Sequence, residues 1–125
     1  MQPRTYLIAA IMVVMPLSAK ATADADLGSG HASYYGNELA GRRTASGELF
    51  NPSDMTAAHR TAAFGTRIKV THLGNGREVI VRVNDRGPWG RGRIIDISYA
   101  AAKELGMHRS GTAQVKLTLV RDPAE

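Results

Sequence analysis

The 125-residue chain contains no cysteine, and this absence removes several kinds of chemistry at once. Disulfide bonds, Cys-ligated metals and a thiol nucleophile are excluded. Lipid attachment through a cysteine behind an export segment is excluded as well, so we expect the exported protein to be soluble. The one long apolar run, Tyr6 to Ala19, is shorter than the about 20 residues that a membrane-spanning helix needs.

The N-terminus has the pattern of a secretory signal peptide instead. Arg4 precedes the apolar run, and small residues follow it at Ala19-Lys20-Ala21 and again at Ala23-Asp24-Ala25. We predict a signal peptide within residues 1–25, cleaved after residue 21 or 25, and one domain over residues 26–125. The small polar residues 20–30 are predicted to form a flexible lead-in.

The formal charge is +5 at pH 7. A basic chain often binds nucleic acid, but export argues against that partner and favours an anionic polymer outside the cytoplasm. A solvated basic surface that only keeps the domain soluble is the alternative.

The hydrophobic pattern predicts a small all-β domain. Alternating or short apolar stretches predict strands at residues 32–35, 67–73, 78–83, 94–97 and 112–120. Gly74-Asn75-Gly76 favours a hairpin, and Ser98 and Gly106 are suitable caps for a helix over residues 99–105. Residues 51–59 are predicted to form a turn with room for one helical turn. Residues 84–92, with Pro88 and three glycines, are predicted not to be strand. Closure into a barrel would remove exposed strand edges.

Acid–base chemistry would need a carboxyl group in a suitable environment. Asp85 opens a loop where functional groups are often presented, although Asp is also a common turn former. Glu48 lies at a loop-to-strand junction, and His59 follows a short apolar stretch, where a purely structural histidine is the alternative. Asp96, inside an apolar strand, is interpreted as structural, with backbone donors near Ser98 satisfying it. Glu78 and Glu104 are interpreted as surface charges.

Five blocks in fixed order carry a resemblance to a known family. They are His31-Ala32-Ser33-Tyr34-Tyr35-Gly36, Gly41-Arg42-Arg43-Thr44-Ala45-Ser46-Gly47-Glu48, Met55-Thr56-Ala57-Ala58-His59, Val81-Arg82-Val83-Asn84-Asp85-Arg86-Gly87-Pro88 and Arg93-Ile94-Ile95-Asp96-Ile97-Ser98. Together they resemble the rare lipoprotein A family of septal-ring lytic transglycosylases over roughly residues 31–120. Many members are lipoproteins with a C-terminal glycan-binding repeat domain. We expect neither feature here, which leaves recruitment to the septum unassigned.

The resemblance implies a six-stranded double-psi β-barrel with one or two short helices, related to expansin domains. It implies endolytic cleavage of peptidoglycan, with a preference for strands that lack stem peptides and with no metal or other cofactor. The implied catalytic residues are Asp85, Glu48 and His59. The predicted substrate-binding residues are Tyr34, Tyr35, Arg42, Thr44, Asn84, Arg86 and Trp89. We further predict a monomer in the periplasm or cell envelope. The predicted partners are cell-division or envelope proteins, and not nucleic acid.

In the expected mechanism Asp85 protonates the glycosidic oxygen, and the C6 hydroxyl of N-acetylmuramic acid attacks its own anomeric carbon. Asp85 or Glu48 takes up the hydroxyl proton, and His59 orients either carboxylate. Arg42, Arg43 and Arg86 would pair with the free lactyl carboxylates of stem-less strands. Two other functions stay open: an expansin-like module that binds glycan without cleaving it, and a structural protein that holds a division partner.

Overall fold

The computed structural model describes residues 25–121. Their elements are β1 (Ala25–Tyr34), a 3₁₀ helix (Asn37–Leu39), β2 (Thr56–Ala58), β3 (Arg67–His72), β4 (Glu78–Asp85), β5 (Arg93–Ile97), α1 (Tyr99–Leu105) and β6 (Thr112–Val120). The predicted signal segment up to residue 24, and residues 122–125 of the predicted domain, lie outside this range. Within it, no helix is both long and apolar enough to cross a membrane.

The six strands close into a barrel in the order β1-β5-β2-β4-β3-β6, and β6 pairs with β1 again. Of the six pairs of adjacent strands, β1 with β5 and β2 with β4 are parallel, and the other four pairs are antiparallel. The predicted closed six-stranded barrel is therefore confirmed. Parallel pairing matters for the site because it brings the carboxyl ends of β2 and β4 to one edge of the barrel.

The core is made by the alternating positions that the sequence pattern indicates. Side chains of β3, β4 and β6 that point inward are almost inaccessible to solvent: Ile68, Val70, Val79, Val81, Val83, Ala113, Val115 and Leu117. Each fully buried Val, Leu or Ile contributes about 1.5–3 kcal/mol relative to an exposed one. Leu119, expected on the same face, is only half-buried near the end of β6.

Three local predictions were wrong. Residues 25–30, expected as a flexible lead-in, belong to β1 and pair antiparallel with β6. Thr56–Ala58, expected as a turn or helical turn, is a fully buried strand between β4 and β5. Asn84 and Asp85, expected outside any strand, complete β4, because the chain-breaking glycine and proline begin only at Gly87.

The helix α1 has the predicted bounds and caps. The Ser98 hydroxyl accepts a hydrogen bond from the Ala101 N–H at 3.2 Å, and Gly106 ends the helix at φ 79°, which favours glycine. Ala101, Ala102 and Leu105 face the core. Because the Ser98 N–H also donates to the Thr56 carbonyl at 2.9 Å, the cap ties α1 to β2.

We predict that Ser98→Ala lowers the free energy of unfolding by about 1 kcal/mol, because an N–H of the first helical turn loses its side-chain partner. Urea denaturation followed by circular dichroism measures this change. Ser53→Ala, at an exposed position, should change stability by less than about 0.5 kcal/mol. Equal losses for the two variants would contradict the capping role of Ser98.

Candidate active site

A bulge in the pairing of β2 with β4 determines which way Asp85 points. Ala57 pairs with Val83, but the next residue, Ala58, pairs with Asp85, so Asn84 is an extra residue on β4. Val83 and Ala57 belong to the core cluster. The extra residue reverses the alternation after Val83 and turns Asp85 to the outer face, as bulges beside active sites often do.

Both oxygens of the Asp85 carboxyl group are held by donors from three segments. Oδ1 accepts from the backbone N–H groups of Ala45 and Arg86, each at 2.9 Å. Oδ2 accepts from the Tyr35 hydroxyl at 3.0 Å. Oδ1 of Asp85 is therefore engaged by two backbone donors, whereas Oδ2 accepts a hydrogen bond only from the Tyr35 side chain.

Tyr35 is a neutral donor at this position. Its ring packs edge-on against Phe50, with 4.9 Å between the ring centroids. Burial, and then the negative charge of Asp85, raise the pKa of the Tyr35 hydroxyl far above its ordinary value. The charge of Asp96 acts in the same direction, so the phenol keeps its proton and its orientation toward Asp85.

A pocket of about 150 Å³ opens beside this pair. It is lined by Tyr35, Leu39, Arg42, Arg43, Thr44, Phe50 and Asp85. Four of the predicted site residues thus come together at one opening: Tyr35, Arg42, Thr44 and Asp85. The Thr44 hydroxyl is bonded to the Glu48 carbonyl at 2.9 Å. Among the described residues, the exposed Arg42 guanidinium makes no side-chain hydrogen bond, whereas Arg43 donates to the Gly47 carbonyl at 2.6 Å.

Glu48 lies next to this pocket but does not line it. Its carboxylate forms a two-pronged ion pair with Arg82, with Arg82 Nη2 3.0 Å from Oε1, and it also accepts from the Asn84 side chain at 3.3 Å. The Arg82 hydrogen bonds, with a smaller contribution from Asn84, lower the pKa of Glu48. Glu48 is therefore an anion engaged with Arg82, while Asn84 is buried beneath it.

His59 follows β2 and approaches Asp85 through its main chain, since its N–H donates to the Asp85 carbonyl at 3.1 Å. Its ring Nδ1 accepts from the N–H groups of Thr61 and Ala62 at 3.2 and 3.0 Å. Desolvation by burial, then the charges of Arg86 and Arg60, lower the pKa of His59 below its ordinary 6.5. The neutral ring carries its proton on Nε2.

Of the other predicted binding residues, Arg86 and Trp89 follow Asp85 in the chain, whereas Tyr34 lies elsewhere. Trp89 is 74% exposed on the loop between β4 and β5. Arg86 Nη1 donates to the carbonyls of His59 and Ala62 at 3.2 and 2.7 Å, so much of its guanidinium is already engaged. Tyr34 points away from Asp85. It packs against the core and Tyr99, and its hydroxyl donates to the His108 carbonyl at 2.7 Å.

A family model described as "Lytic transglycolase" matches residues 28–117. The chain belongs to the lytic transglycolase family. It is 56% identical over 92 residues to "Probable endolytic peptidoglycan transglycosylase RlpA" of Synechocystis, and the match covers 74% of this chain and 29% of the relative. It is 48% identical over 92 residues to "Endolytic peptidoglycan transglycosylase RlpA" of Vibrio cholerae, covering 74% of this chain and 35% of the relative. The chain thus spans about a third of the length of these relatives.

Solved structures support the same barrel for this chain. A Streptomyces papain inhibitor superposes with a TM-score of 0.60 at 24% identity, covering 77% of this chain and 94% of that one. The Clavibacter michiganensis expansin superposes with a TM-score of 0.59 at 30% identity, covering 78% of this chain and 52% of that one. With the family match, these likenesses confirm the predicted double-psi β-barrel.

Three residues near the candidate site had no role in the sequence-based prediction of the site, or had a different one. Arg82 engages Glu48, and Arg60 donates to carbonyls of the Trp89 loop. The alternating pattern of β4 places Arg82 on the outer face, but no nearby residue in the sequence indicates that Glu48 is its partner. Asp96 accepts from the Ser33 hydroxyl and from Arg93 Nη1 rather than from the expected backbone donors near Ser98, because Ser33 pairs with it across β1 and β5.

We predict that the His59 ring titrates below pH 6.5 in the folded protein, measured from its ¹H–¹³C NMR signals assigned with His59→Gln. Because folding lowers this pKa, the unfolded chain takes up the proton first as pH falls below 6.5, and stability is lost over that window. Arg86→Ala should move the midpoint upward, whereas Arg109→Ala, at an exposed position elsewhere, should not. A midpoint at or above 6.5 in the wild type would contradict the neutral ring.

Proposed function

We propose that this domain is an endolytic peptidoglycan lytic transglycosylase, with Asp85 as its acid and base. The observation that carries the proposal is the outward-facing Asp85 carboxyl, which is held by three donors beside an arginine-lined pocket. The names of the relatives, endolytic peptidoglycan transglycosylases, agree with this reaction. The geometry favours Oδ2 as the reactive oxygen, because Oδ1 already accepts two backbone hydrogen bonds.

In the proposed reaction, Asp85 Oδ2 gives its proton to the glycosidic oxygen as the bond from that oxygen to the muramic acid C1 breaks. The C6 hydroxyl oxygen of the same sugar bonds to C1, and its proton passes to Asp85. The products are a 1,6-anhydro-muramic end and a free hydroxyl on the leaving sugar, and the carboxyl returns to its starting state. One group acting first as acid and then as base is sufficient.

The structure favours Asp85 over Glu48 for both proton transfers. Glu48 is paired with Arg82, and its lowered pKa keeps it ionised. Its backbone carbonyl accepts from Thr44 N–H at 2.7 Å, and Ser46 N–H donates to the Asn84 carbonyl at 3.2 Å. We therefore propose that Glu48 orients the loop that donates to Asp85 through Ala45. His59 offers its Nε2–H to the substrate or to a neighbouring carboxylate.

The substrate preference that we propose rests on Arg42. Strands without stem peptides expose a lactyl carboxylate on each muramic acid, and a guanidinium recognises a carboxylate with two parallel hydrogen bonds. Arg42 is exposed at the pocket, and within residues 25–121 its guanidinium has no hydrogen-bond partner, whereas those of Arg43 and Arg86 are bound to backbone carbonyls. The exposed indole of Trp89 would provide a flat surface for a sugar ring.

A glycan-binding module without cleavage is the second candidate. One solved neighbour is a mutant of the Clavibacter michiganensis expansin in complex with cellohexaose, with a TM-score of 0.60 and 27% identity. That protein binds a glycan, and fold alone does not decide between binding and cleavage.

Action on the cell wall requires an extracytoplasmic location, which we propose for this chain. Of the two predicted cleavage sites, the one after Ala21 fits the fold better, since β1 pairing begins with Ala25 opposite Leu119. The monomeric state and the cell-division or envelope partners stay predictions.

We predict that the purified chain, incubated with stem-less peptidoglycan, releases fragments with 1,6-anhydro-muramic ends detected by mass spectrometry. Asp85→Asn should slow their release by a factor of about 10² to 10⁴, because the group that transfers the proton is lost. Glu104→Gln, which removes an exposed carboxylate on α1, is the matched control and should retain the activity. Reducing ends in place of anhydro ends would indicate hydrolysis by water. Retained binding without cleavage in the wild type would favour the expansin-like module.

We predict that Tyr35→Phe lowers kcat by about 10- to 100-fold while KM changes little. The phenol bonds a charged group only as Asp85 gives up its proton, and such a hydrogen bond is worth about 1.5–3 kcal/mol. The phenol acts on Asp85 and not on the sugar, so the loss should appear in the chemical step. Tyr99→Phe is the control for removal of a phenol hydroxyl, because Tyr99 packs on the far side against Tyr34. A raised KM with an unchanged kcat would instead mean that Tyr35 contacts the sugar.

A further inference from the structure

Two loops beside Asp85 each donate an arginine to the backbone of the other. The β2–β3 loop, residues 59–66, supplies Arg60, and the β4–β5 loop, residues 86–92, supplies Arg86. Arg86 donates to the carbonyls of His59 and Ala62 and lies over the Phe64 ring, 4.1 Å from its centroid. Arg60 makes the reciprocal contacts, with the loop that bears Trp89.

Arg60 binds three carbonyl groups with one guanidinium. Its Nε donates to the Pro88 carbonyl at 2.6 Å, and its Nη2 donates to the carbonyls of Gly90 and Arg93 at 2.9 Å each. The rigid planar fork of arginine is suited to several acceptors at fixed angles, and charge-assisted hydrogen bonds are the strong ones. These bonds span the β4–β5 loop from Pro88 to the first residue of β5.

The two ends of this loop are held by other contacts, since Gly87 and Pro88 are buried and the His31 N–H donates to the Gly92 carbonyl at 3.0 Å. The segment around Trp89, between these ends, is the part that Arg60 restrains through the carbonyls of Pro88 and Gly90. Residues 86–92 lie outside the strands, and the loop contains three glycines, at positions 87, 90 and 92. Trp89 is the most exposed large apolar side chain of the described residues, so its indole receives little support from packing. The Trp89 Nε1 lies over Gly87, where a Cβ would meet it at 3.6 Å. The indole is therefore directed back toward the Asp85 end of the loop.

We propose that Arg60 is a positioning residue that holds the β4–β5 loop, and with it the exposed indole of Trp89, beside Asp85. The consequence for glycan rests on the proposed function: an indole held in place before binding does not have to be ordered when a sugar ring stacks on it. Arg60 acts through the loop and does not contact the glycan. It differs in this from Arg42, whose guanidinium faces the pocket.

The position of the loop can be measured without any ligand, because Trp89 is the single tryptophan of the chain. Steady-state fluorescence anisotropy of the purified full chain reports the mobility of this indole. We expect Arg60→Ala to lower the anisotropy and Arg60→Lys to give an intermediate value, since lysine keeps the charge but loses the Nε–H that bonds Pro88. Arg91→Ala removes an exposed charge from the same loop and should leave the anisotropy at the wild-type value.

Binding to insoluble stem-less peptidoglycan, measured by co-sedimentation, tests the consequence. Arg60→Ala should weaken binding about tenfold, the cost of ordering one large side chain on association. In a Trp89→Ala background the same substitution should cause no further loss, because the indole on which it acts is gone.

Unchanged anisotropy in Arg60→Ala would overturn the proposal. So would a further tenfold loss of binding in the Trp89→Ala background, which would mean that Arg60 contacts glycan directly. Circular dichroism establishes that each variant is folded, and Arg60→Lys supplies the anisotropy result if Arg60→Ala does not fold. If the wild-type protein binds no glycan, the proposed function fails, while the anisotropy result still decides the role of Arg60.

Discussion

The candidate site depends on one extra residue in a parallel strand pair. If β4 alternated without interruption, Asp85 would point inward after Val79, Val81 and Val83. The bulge at Asn84 reverses the direction, so Asp85 faces outward in the same register as Ala58 of β2. Burial of Val83 and Ala57 on the other face fixes that register, because a slip by one residue would expose the core and bury a carboxylate. The chemistry of the site is therefore coupled to the packing of the barrel.

Around Asp85, backbone N–H groups join the segments of the candidate site to one another. Ala45 N–H bonds the Asp85 carboxylate, Ser46 N–H bonds the Asn84 carbonyl, and His59 N–H bonds the Asp85 carbonyl. The donors are main-chain groups, so their positions are set by the fold and not by side-chain rotamers. Preorganised groups of this kind stabilise charge without reorganising during the reaction. The same arrangement explains why the loop of residues 43–49 and the end of β4 carry two of the five sequence blocks.

The sequence predicts much of the fold because most of its signals are local. The alternation in Arg67–His72 and Thr112–Val120, the Gly-Asn-Gly hairpin and the Ser98 and Gly106 caps each depend on neighbouring residues, and each appears in the structure. Thr56–Ala58 was missed because three small residues have no strand signal of their own and are a strand only between β4 and β5. The site divides in the same way. The order of its blocks predicts Asp85 as a site residue, and the structure places it at the pocket. Arg82 and Arg60 instead bond residues far away in the sequence, at separations that no local pattern encodes.

The arrangement of the candidate site also bears on whether the domain cleaves glycan or only binds it. A module that only binds glycan needs an exposed aromatic surface and hydrogen-bonding groups that can adapt to the chain. Here one carboxyl group is fixed by two backbone donors and a phenol whose raised pKa keeps it protonated. Arg42, whose guanidinium has no hydrogen-bond partner in the part of the chain that the structure describes, lines the same pocket. Fixing one carboxyl group so closely gains nothing for a surface that binds many sugar units weakly. It matters when one proton must reach one glycosidic oxygen, because a general acid acts only within hydrogen-bond reach of its target. The rigidity around Asp85 is thus the feature that favours a lytic reaction over simple adhesion.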